Sequence, residues 1–190
     1  MGRWEPNARG RLAEAALGLY SERGFEQTTV AEIAKRAGLT ERTFFRHYAD
    51  KREVLFGASE LQERFVRAVA DAPESAAPID ALASGLDAAS EMFVDRREYA
   101  RKRQAVIIAN PELQERELIK LASLSAALAD TLRRRGVAEP AASLTAEAGV
   151  AVFKVGFERW IAVIEERTLS QLLRESLAEL KTVTAGGYRG

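Results

Sequence analysis

From Thr40 to Lys51 the chain reads Thr-Glu-Arg-Thr-Phe-Phe-Arg-His-Tyr-Ala-Asp-Lys, a run whose residue types suit contact with a nucleic acid. On a helix that starts at Glu41, the residues Glu41, Arg42, Thr43, Arg46 and His47 cover the outer surface, while Phe44 turns inward. A guanidinium at Arg42 matches a guanine edge with two parallel hydrogen bonds. Thr43 offers a hydroxyl for a base or a methyl for thymine. Lys51 stands at the next expected helix start, where an ammonium and helix amides both favour a phosphate. The chemistry of catalysis is missing by comparison. The sequence holds one histidine, already placed in this run, and no cysteine. Its carboxylates are scattered, and it shows neither a glycine-rich phosphate loop nor metal-ligand spacing. No cofactor, metal or catalytic residue is expected, and an enzyme or a pure interaction module is the remote alternative.

Two short helices with a tight turn between them are needed to present that run. Thr29 is placed to cap a helix from Val30, with Glu32 three residues later to complete a capping box. Ile33 and Ala37 share its inner face. Gly38 ends the helix where a left-handed backbone is cheap, Leu39 plugs the turn, and Thr40 caps the second helix, Glu41 to His47. Asp50 and Glu53 repeat the capping pattern and predict a further helix over 51–70. A tight Gly-containing turn between two helices is the helix-turn-helix pattern, whose second helix enters the major groove.

At these residues a resemblance becomes specific. The series Gly38, Leu39, Thr40, Thr43, Phe44, Phe45, His47, Tyr48 and Lys51, preceded by Gly24-Phe25 and Thr29, resembles the head of the TetR family of regulators over residues 9–56. Phe45 stands where the family usually has Tyr, so it has no hydroxyl for a phosphate but offers a ring to a sugar or a thymine methyl. Tyr48 stands where the family usually has Phe, and reads as a core residue with its hydroxyl at the edge. The resemblance implies a three-helix head at 1–56, a helical effector-binding and dimerisation body at 57–190, and a homodimer built on the last two helices. The expected DNA-binding set is Thr29, Thr40, Glu41, Arg42, Thr43, Phe45, Arg46, His47 and Lys51.

The remaining sequence supports an all-α chain of about nine helices. Further helices are predicted over 8–23, 78–94, 96–110, 111–135, 140–166 and 169–183, with Gly24, Gly38, Pro73, Pro78, Pro111, Gly136 and Pro140 between or at the ends of elements. No segment alternates like a strand, and no apolar run is long enough for a membrane span. The N-terminal residues lack a signal-peptide pattern, and the absence of cysteine accords with a reducing cytoplasm. The net charge is zero, yet residues 35–52 carry six basic and two acidic side chains. That suits a few phosphate contacts, not a coat of nucleic acid. Arg3, Trp4, Arg9 and Arg11 read either as a minor-groove arm or as a plain terminus.

Two further sets follow from the body. Gly149, Val152 and Gly156 lie on one face of the helix over 140–166, and Leu169, Leu173, Leu177 and Leu180 form a stripe on the last helix. Small residues admit a close neighbour, which is either a second copy of the chain or another helix of the same one. Phe93, Gln104, Ile107, Ile108, Phe153, Phe157 and Trp160 supply an apolar and aromatic stock for an effector pocket, with Asn110 as a further polar group; the same residues also suit an ordinary core. The stretch 96–136 is similar to a TetR subgroup with acyl-CoA-like effectors, and the cations from Arg96 to Arg103 read either as its phosphate site or as a solvated face. The expected function is a dimeric repressor released from double-stranded operator DNA by a small apolar or amphipathic effector; an activator or a ligand-independent regulator is the alternative.

Overall fold

The computed structural model describes residues 7–57, 59–162 and 167–185, and these residues contain helices and no strand. Among the described residues nine α-helices run in order: α1 Ala8–Arg23, α2 Val30–Arg36, α3 Glu41–His47, α4 Glu60–Asp71, α5 Pro78–Ser90, α6 Arg97–Ile108, α7 Pro111–Arg134, α8 Ala141–Ala162 and α9 Leu169–Thr184. No helix among the described residues is long and apolar enough to cross a membrane. The chain divides into two compact units, one of residues 1–58 with 101–118, the other of 59–100 with 119–190. The first unit therefore takes in most of α6 and the start of α7, which a single cut after residue 56 leaves in the body.

In the first unit, α1 buries Leu12, Ala15, Ala16, Leu19 and Tyr20 and packs against α2, α3 and the turn after α3. Gly24 ends it with φ 88°, and the Gly24 amide donates to the Tyr20 carbonyl at 3.0 Å. Both halves of the capping box form at α2: Thr29 Oγ1 accepts from the Glu32 amide at 3.2 Å, and the Thr29 amide donates to the Glu32 carboxylate at 2.9 Å. Gly38 has φ 67°, a left-handed turn that only glycine adopts without strain. The Leu39 amide closes that turn on the Ala34 carbonyl at 2.8 Å.

After α3 the structure departs from the sequence reading. The expected helix over 51–70 is a short 3-10 turn, Glu53–Leu55, followed by α4 from Glu60. Gly57 separates them with φ 65°, and Val54 and Leu55 are buried. Capping and periodicity promised one helix, but the left-handed glycine breaks the ladder.

The core of the second unit is apolar and continuous, built around Phe65, Val69, Leu82, Leu86, Leu128, Leu132, Leu172 and Leu173. Here α4 packs on α5, α8 on α9, and α5 touches both α8 and α9. Two glycines expected to face a second copy lie inside the protomer instead. A Cβ on Gly149 would stand 2.9 Å from Leu82 Cδ1, and one on Gly156 would stand 2.6 Å from Leu173 Cδ2 and 3.3 Å from its Cα. Val152, Leu169, Leu173 and Leu177 are buried in the same core, and Leu180 packs partly buried against it. The small residues thus admit α5 and α9 of their own chain.

Because Gly156 faces backbone as well as side chain, Gly156→Leu overpacks the α8–α9 contact. Urea unfolding is expected to show a protomer destabilised by about 1–3 kcal/mol or more, whatever its oligomeric state. A variant as stable as the wild type would remove the close α8–α9 approach from the account.

Candidate nucleic-acid interface

Seven residues make α3, and both ends are held by its own sequence. Thr40 Oγ1 accepts from the Thr43 amide at 3.2 Å and lies 3.0 Å from Thr43 Oγ1. At the other end the Tyr48 amide donates to the Phe44 carbonyl at 2.9 Å. Phe44 is fully buried, and this orients the rest. Glu41, Arg42, Phe45 and Arg46 are exposed, whereas Thr43 and His47 are half-buried. Arg42, Thr43, Phe45 and Arg46 line an open hollow of about 470 Å³. Phe45 is 55% exposed and meets Phe44 edge-on, with ring centroids 5.5 Å apart. A large apolar ring is thereby displayed between two guanidinium groups.

The six cations between residues 35 and 52 are not equally available. Arg36 is tied to Glu22 by two short bonds of 2.5 and 2.6 Å, joining α2 to α1. Arg52 pairs with Asp50 at 2.7 Å. Lys51 is committed most completely. Its Nζ donates to the carbonyls of Phe25, Glu26 and Thr28 at 3.0, 3.3 and 3.3 Å, and it lies 4.3 Å from the centroid of the Phe25 ring. The amides after it are also occupied, since Asp50 Oδ1 accepts from those of Arg52 and Glu53. In this structure Lys51 therefore acts as a strap, its ammonium protons and the neighbouring amides already having acceptors. Among the described residues, Arg42 and Arg46 make no ion pair, so the positive charge on the face of α3 is theirs.

Other cations near the head are structural as well. Arg9 and Arg11 lie within α1, not on an arm. The Arg11 guanidinium donates to the Ala37 carbonyl, and that of Arg9 lies 5.4 Å over the Tyr48 ring. Arg3 and Trp4 fall outside the described residues. Tyr48 is buried and its hydroxyl donates to the Arg9 carbonyl at 3.2 Å, so the Phe-to-Tyr departure adds a tie from α3 to α1. Thr29 is exposed, but its hydroxyl is shared with Glu32. The Glu32 carboxyl is held below its ordinary range, first by the Thr29 amide, then by the Thr29 hydroxyl and Arg23.

Two titrating groups report on this surface. Burial, then the positive charges of Arg46 and Arg9, push the His47 imidazole below its ordinary value. A neutral ring fits its neighbour, for Arg46 Nη2 lies 3.5 Å from His47 Nε2 and can only donate to it. Tyr20 passes under the head, donating to the Lys51 carbonyl at 2.6 Å. Its phenol is pushed well above the ordinary range by burial and by the Asp50 charge. Tyr20 went unmarked in the sequence, where it reads only as one more residue on the apolar face of α1.

The expected effector set falls into two groups. Phe93, Phe153, Phe157 and Trp160 form one aromatic cluster in the second unit, with Phe93 centroids 6.3, 5.4 and 6.0 Å from those of the other three. The Arg97 guanidinium lies 5.3 Å over Trp160 and donates to the Arg167 carbonyl. Gln104, Ile107 and Ile108 belong to the first unit. There Ile107 is fully buried, Ile108 is exposed, and Gln104 donates to Glu117 at 3.2 Å. The Asn110 side chain closes α6 by donating to the Val106 carbonyl at 2.7 Å. No group of three or more metal-ligating side chains occurs among the described residues.

Comparison with known proteins matches both parts of the chain. Residues 12–58 match the family described as bacterial regulatory proteins, tetR family, and residues 76–185 match the MftR C-terminal domain. A putative mycofactocin biosynthesis transcriptional regulator, MftR, of Mycobacterium tuberculosis is 29% identical over 136 residues, which are 71% of this chain and 69% of that protein. The regulator TcmR of Streptomyces glaucescens is 38% identical over 81 residues, 42% of this chain and 36% of its own. Among solved structures, FadR of Thermus thermophilus, a repressor crystallised with lauroyl-CoA, has a TM-score of 0.55 at 26% identity, covering 96% of each chain. A regulator from Pseudomonas aeruginosa has a TM-score of 0.66 at 19% identity, covering 97% of this chain and 94% of its own.

The strap role of Lys51 is open to test. Lys51→Ala leaves three carbonyls without their shared donor and should lower unfolding stability by about 1–2 kcal/mol. The slope of log affinity against log salt for DNA should stay as in the wild type. A fall in that slope by about one unit, with unchanged stability, would return Lys51 to the phosphate-binding set.

Proposed function

The chain belongs to the TetR family of bacterial transcriptional regulators, and from that premise we propose that it acts as a twofold dimer that represses transcription by gripping a near-palindromic operator and releases it when an amphipathic effector binds. It is a DNA-binding regulator and not an enzyme. The observation that carries the mode of reading is the exposed face of α3, where Arg42, Phe45 and Arg46 point outward while buried Phe44 anchors the helix from behind.

In the proposed complex α3 lies in the major groove. Arg42 pairs with a guanine edge, Thr43 and Phe45 touch thymine methyls, and Arg46 and Glu41 flank them. Thr40 holds the helix start, and the Thr29 hydroxyl and His47 meet phosphates. Bacterial operator DNA lies in the cytoplasm, so that is the compartment. For dimerisation the proposed face is a different stripe of α8 from the one the glycines mark. Leu144, Ala148, Ala151 and Val155 recur at helical spacing, with Leu144 66% and Val155 49% exposed. A second copy of the same stripe across a twofold axis would cover them and double the DNA contacts.

The effector proposal rests on the aromatic cluster and its cation. Phe93 is half-buried, and Arg97 over Trp160 sets a positive charge beside apolar rings. That pairing suits a ligand with an acyl or aromatic tail and an anionic head, a class to which the lauroyl-CoA of the Thermus relative belongs. An effector releases DNA only by the margin with which it prefers the DNA-free form, and a tenfold loss of affinity takes about 1.4 kcal/mol.

Arg42→Ala is expected to cost about 1–3 kcal/mol of operator affinity and to relax preference at one base per half-site; unaltered affinity and preference would remove Arg42 from base reading. The pH dependence has a definite sign. Free His47 is held neutral, and a phosphate favours its charged form, so binding takes up a proton and affinity rises as pH falls through the imidazole range, below about 6.5. In His47→Gln that rise should vanish, measured by fluorescence anisotropy across the range.

Ala151→Arg should convert a dimer at micromolar concentration into a folded monomer, read by sedimentation, and lower operator affinity by about 10² or more. A dimer that survives the substitution would place the interface elsewhere. For the effector, lauroyl-CoA added to a Trp4→Phe background should change Trp160 fluorescence and release promoter DNA in the same concentration range. If a panel of acyl and aromatic anions does neither, a ligand-independent regulator remains.

A further inference from the structure

The first unit contains a polar cluster with no place in the sequence reading of DNA binding. Its centre is Arg103, in the part of α6 that belongs to this unit. Arg103 Nε donates to the Leu55 carbonyl at 2.7 Å, its Nη1 pairs with Glu117 at 3.1 Å, and its guanidinium lies 5.0 Å over the Phe56 ring. Glu117, on α7, also accepts from Gln104. That orientation leaves Gln104 Oε1 buried and without a hydrogen-bond partner, so the amide serves the carboxylate at its own expense. Beside this group, Arg116 on α7 pairs with Glu53.

These are the two least exposed ion pairs among the described residues. Side-chain exposures are 18% and 25% for Arg103 and Glu117, and 32% and 16% for Arg116 and Glu53. Exposed pairs are worth little; partly buried ones that also satisfy a backbone carbonyl hold geometry. What they hold is the segment that follows the recognition helix. Glu53 and Leu55 form the 3-10 turn, and Phe56 ends it. The same segment is held from the other direction, where Tyr20 and the carbonyls of Phe25, Glu26 and Thr28 bind Lys51. A seven-residue helix has little stability of its own, so its pose depends on what fixes the chain on either side.

We propose that Arg103 and Arg116 are positioning residues for operator binding: by clamping the 53–56 turn they set the pose of α3 without touching DNA. The proposal rests on the reading of α3 as the DNA-reading helix and adds to it two residues that lie in the effector-side helices by sequence.

The test uses the full-length protein and a fragment of its own promoter, with anisotropy titrations over a salt series at a temperature well below the measured melting midpoint of every variant. Arg103→Ala should bind the promoter about tenfold more weakly, equivalent to about 1.4 kcal/mol. It should keep the wild-type salt slope and the wild-type affinity for random-sequence DNA, because no phosphate contact is lost. Glu53→Arg and Arg116→Glu should each weaken promoter binding, and the double exchange should recover most of it. Should Arg103→Ala fail to fold, Arg103→Lys keeps the charge but loses the forked contact with Leu55 and Glu117 and should show the same loss in smaller measure.

Promoter affinity equal to wild type in the Arg103 and Arg116 variants overturns the clamp. A slope lowered by about one unit overturns it too, since Arg103 would then be a phosphate contact. A double exchange no better than the single variants refutes the Glu53–Arg116 arm. Failure of the wild type to distinguish promoter from random DNA is a separate result, which refutes the DNA-reading of α3 and the clamp with it.

Discussion

The burial of Phe44 is the constraint on which the exposed face of α3 depends. Isolated helices as short as α3 do not persist in water, because nucleation costs more than a few hydrogen bonds return. A capped end at Thr40 contributes only about 1 kcal/mol. Fully burying a phenylalanine contributes about 1.5–3 kcal/mol, and here it also fixes rotation about the helix axis. With Phe44 inward, Arg42, Phe45 and Arg46 have no choice but to face out. The polarity of the interface is thus a packing result first and an electrostatic one second.

Charge is spent economically around that surface. Six cations cluster in 35–52, but three of them hold the head together, through Glu22, Asp50 and three loop carbonyls. Arg9 and Arg11 likewise serve Tyr48 and Ala37. A chain with zero net charge can still meet DNA if a small number of guanidinium groups remain uncommitted at the right place. Arg42 and Arg46 fill that role, and burial, then the charges of Arg46 and Arg9, hold the His47 imidazole below its ordinary value. Phosphate attraction of this scale is modest, so the proposed base contacts and second head would carry more of the affinity.

In the body, the same small residues admit two readings, and packing distances decide between them. Gly149 and Gly156 repeat at a spacing that any close helix neighbour would favour. The neighbours are Leu82 and Leu173 of the same chain. Once those glycines face inward, Leu144 and Val155 are the large apolar residues of α8 that stay exposed. The aromatic stock divides in a similar way. Phe93, Phe153, Phe157 and Trp160 converge, while Gln104, Ile107 and Ile108 join the unit that holds the DNA-reading helix.

Local signals alone determined much of this protein. The limits of α1 and α3, the capping box at Thr29, the left-handed turn at Gly38, the inward Phe44 and the buried Tyr48 all follow from neighbours within a few residues, where capping, periodicity and glycine chemistry act. The family resemblance legible in the residues lies in the same stretch, whereas the match of the body over residues 76–185 emerged only on comparison. What the sequence left open are the matters settled between residues far apart in the chain. The sequence does not show that the carbonyls of Phe25, Glu26 and Thr28 hold Lys51, or that Leu55 and Glu117 meet Arg103. A charged side chain at a helix start or on a helix face has the same local appearance in either case. Only the tertiary structure decides whether its partners are water, a ligand or its own backbone, because those partners lie tens of residues away and periodicity carries no record of them.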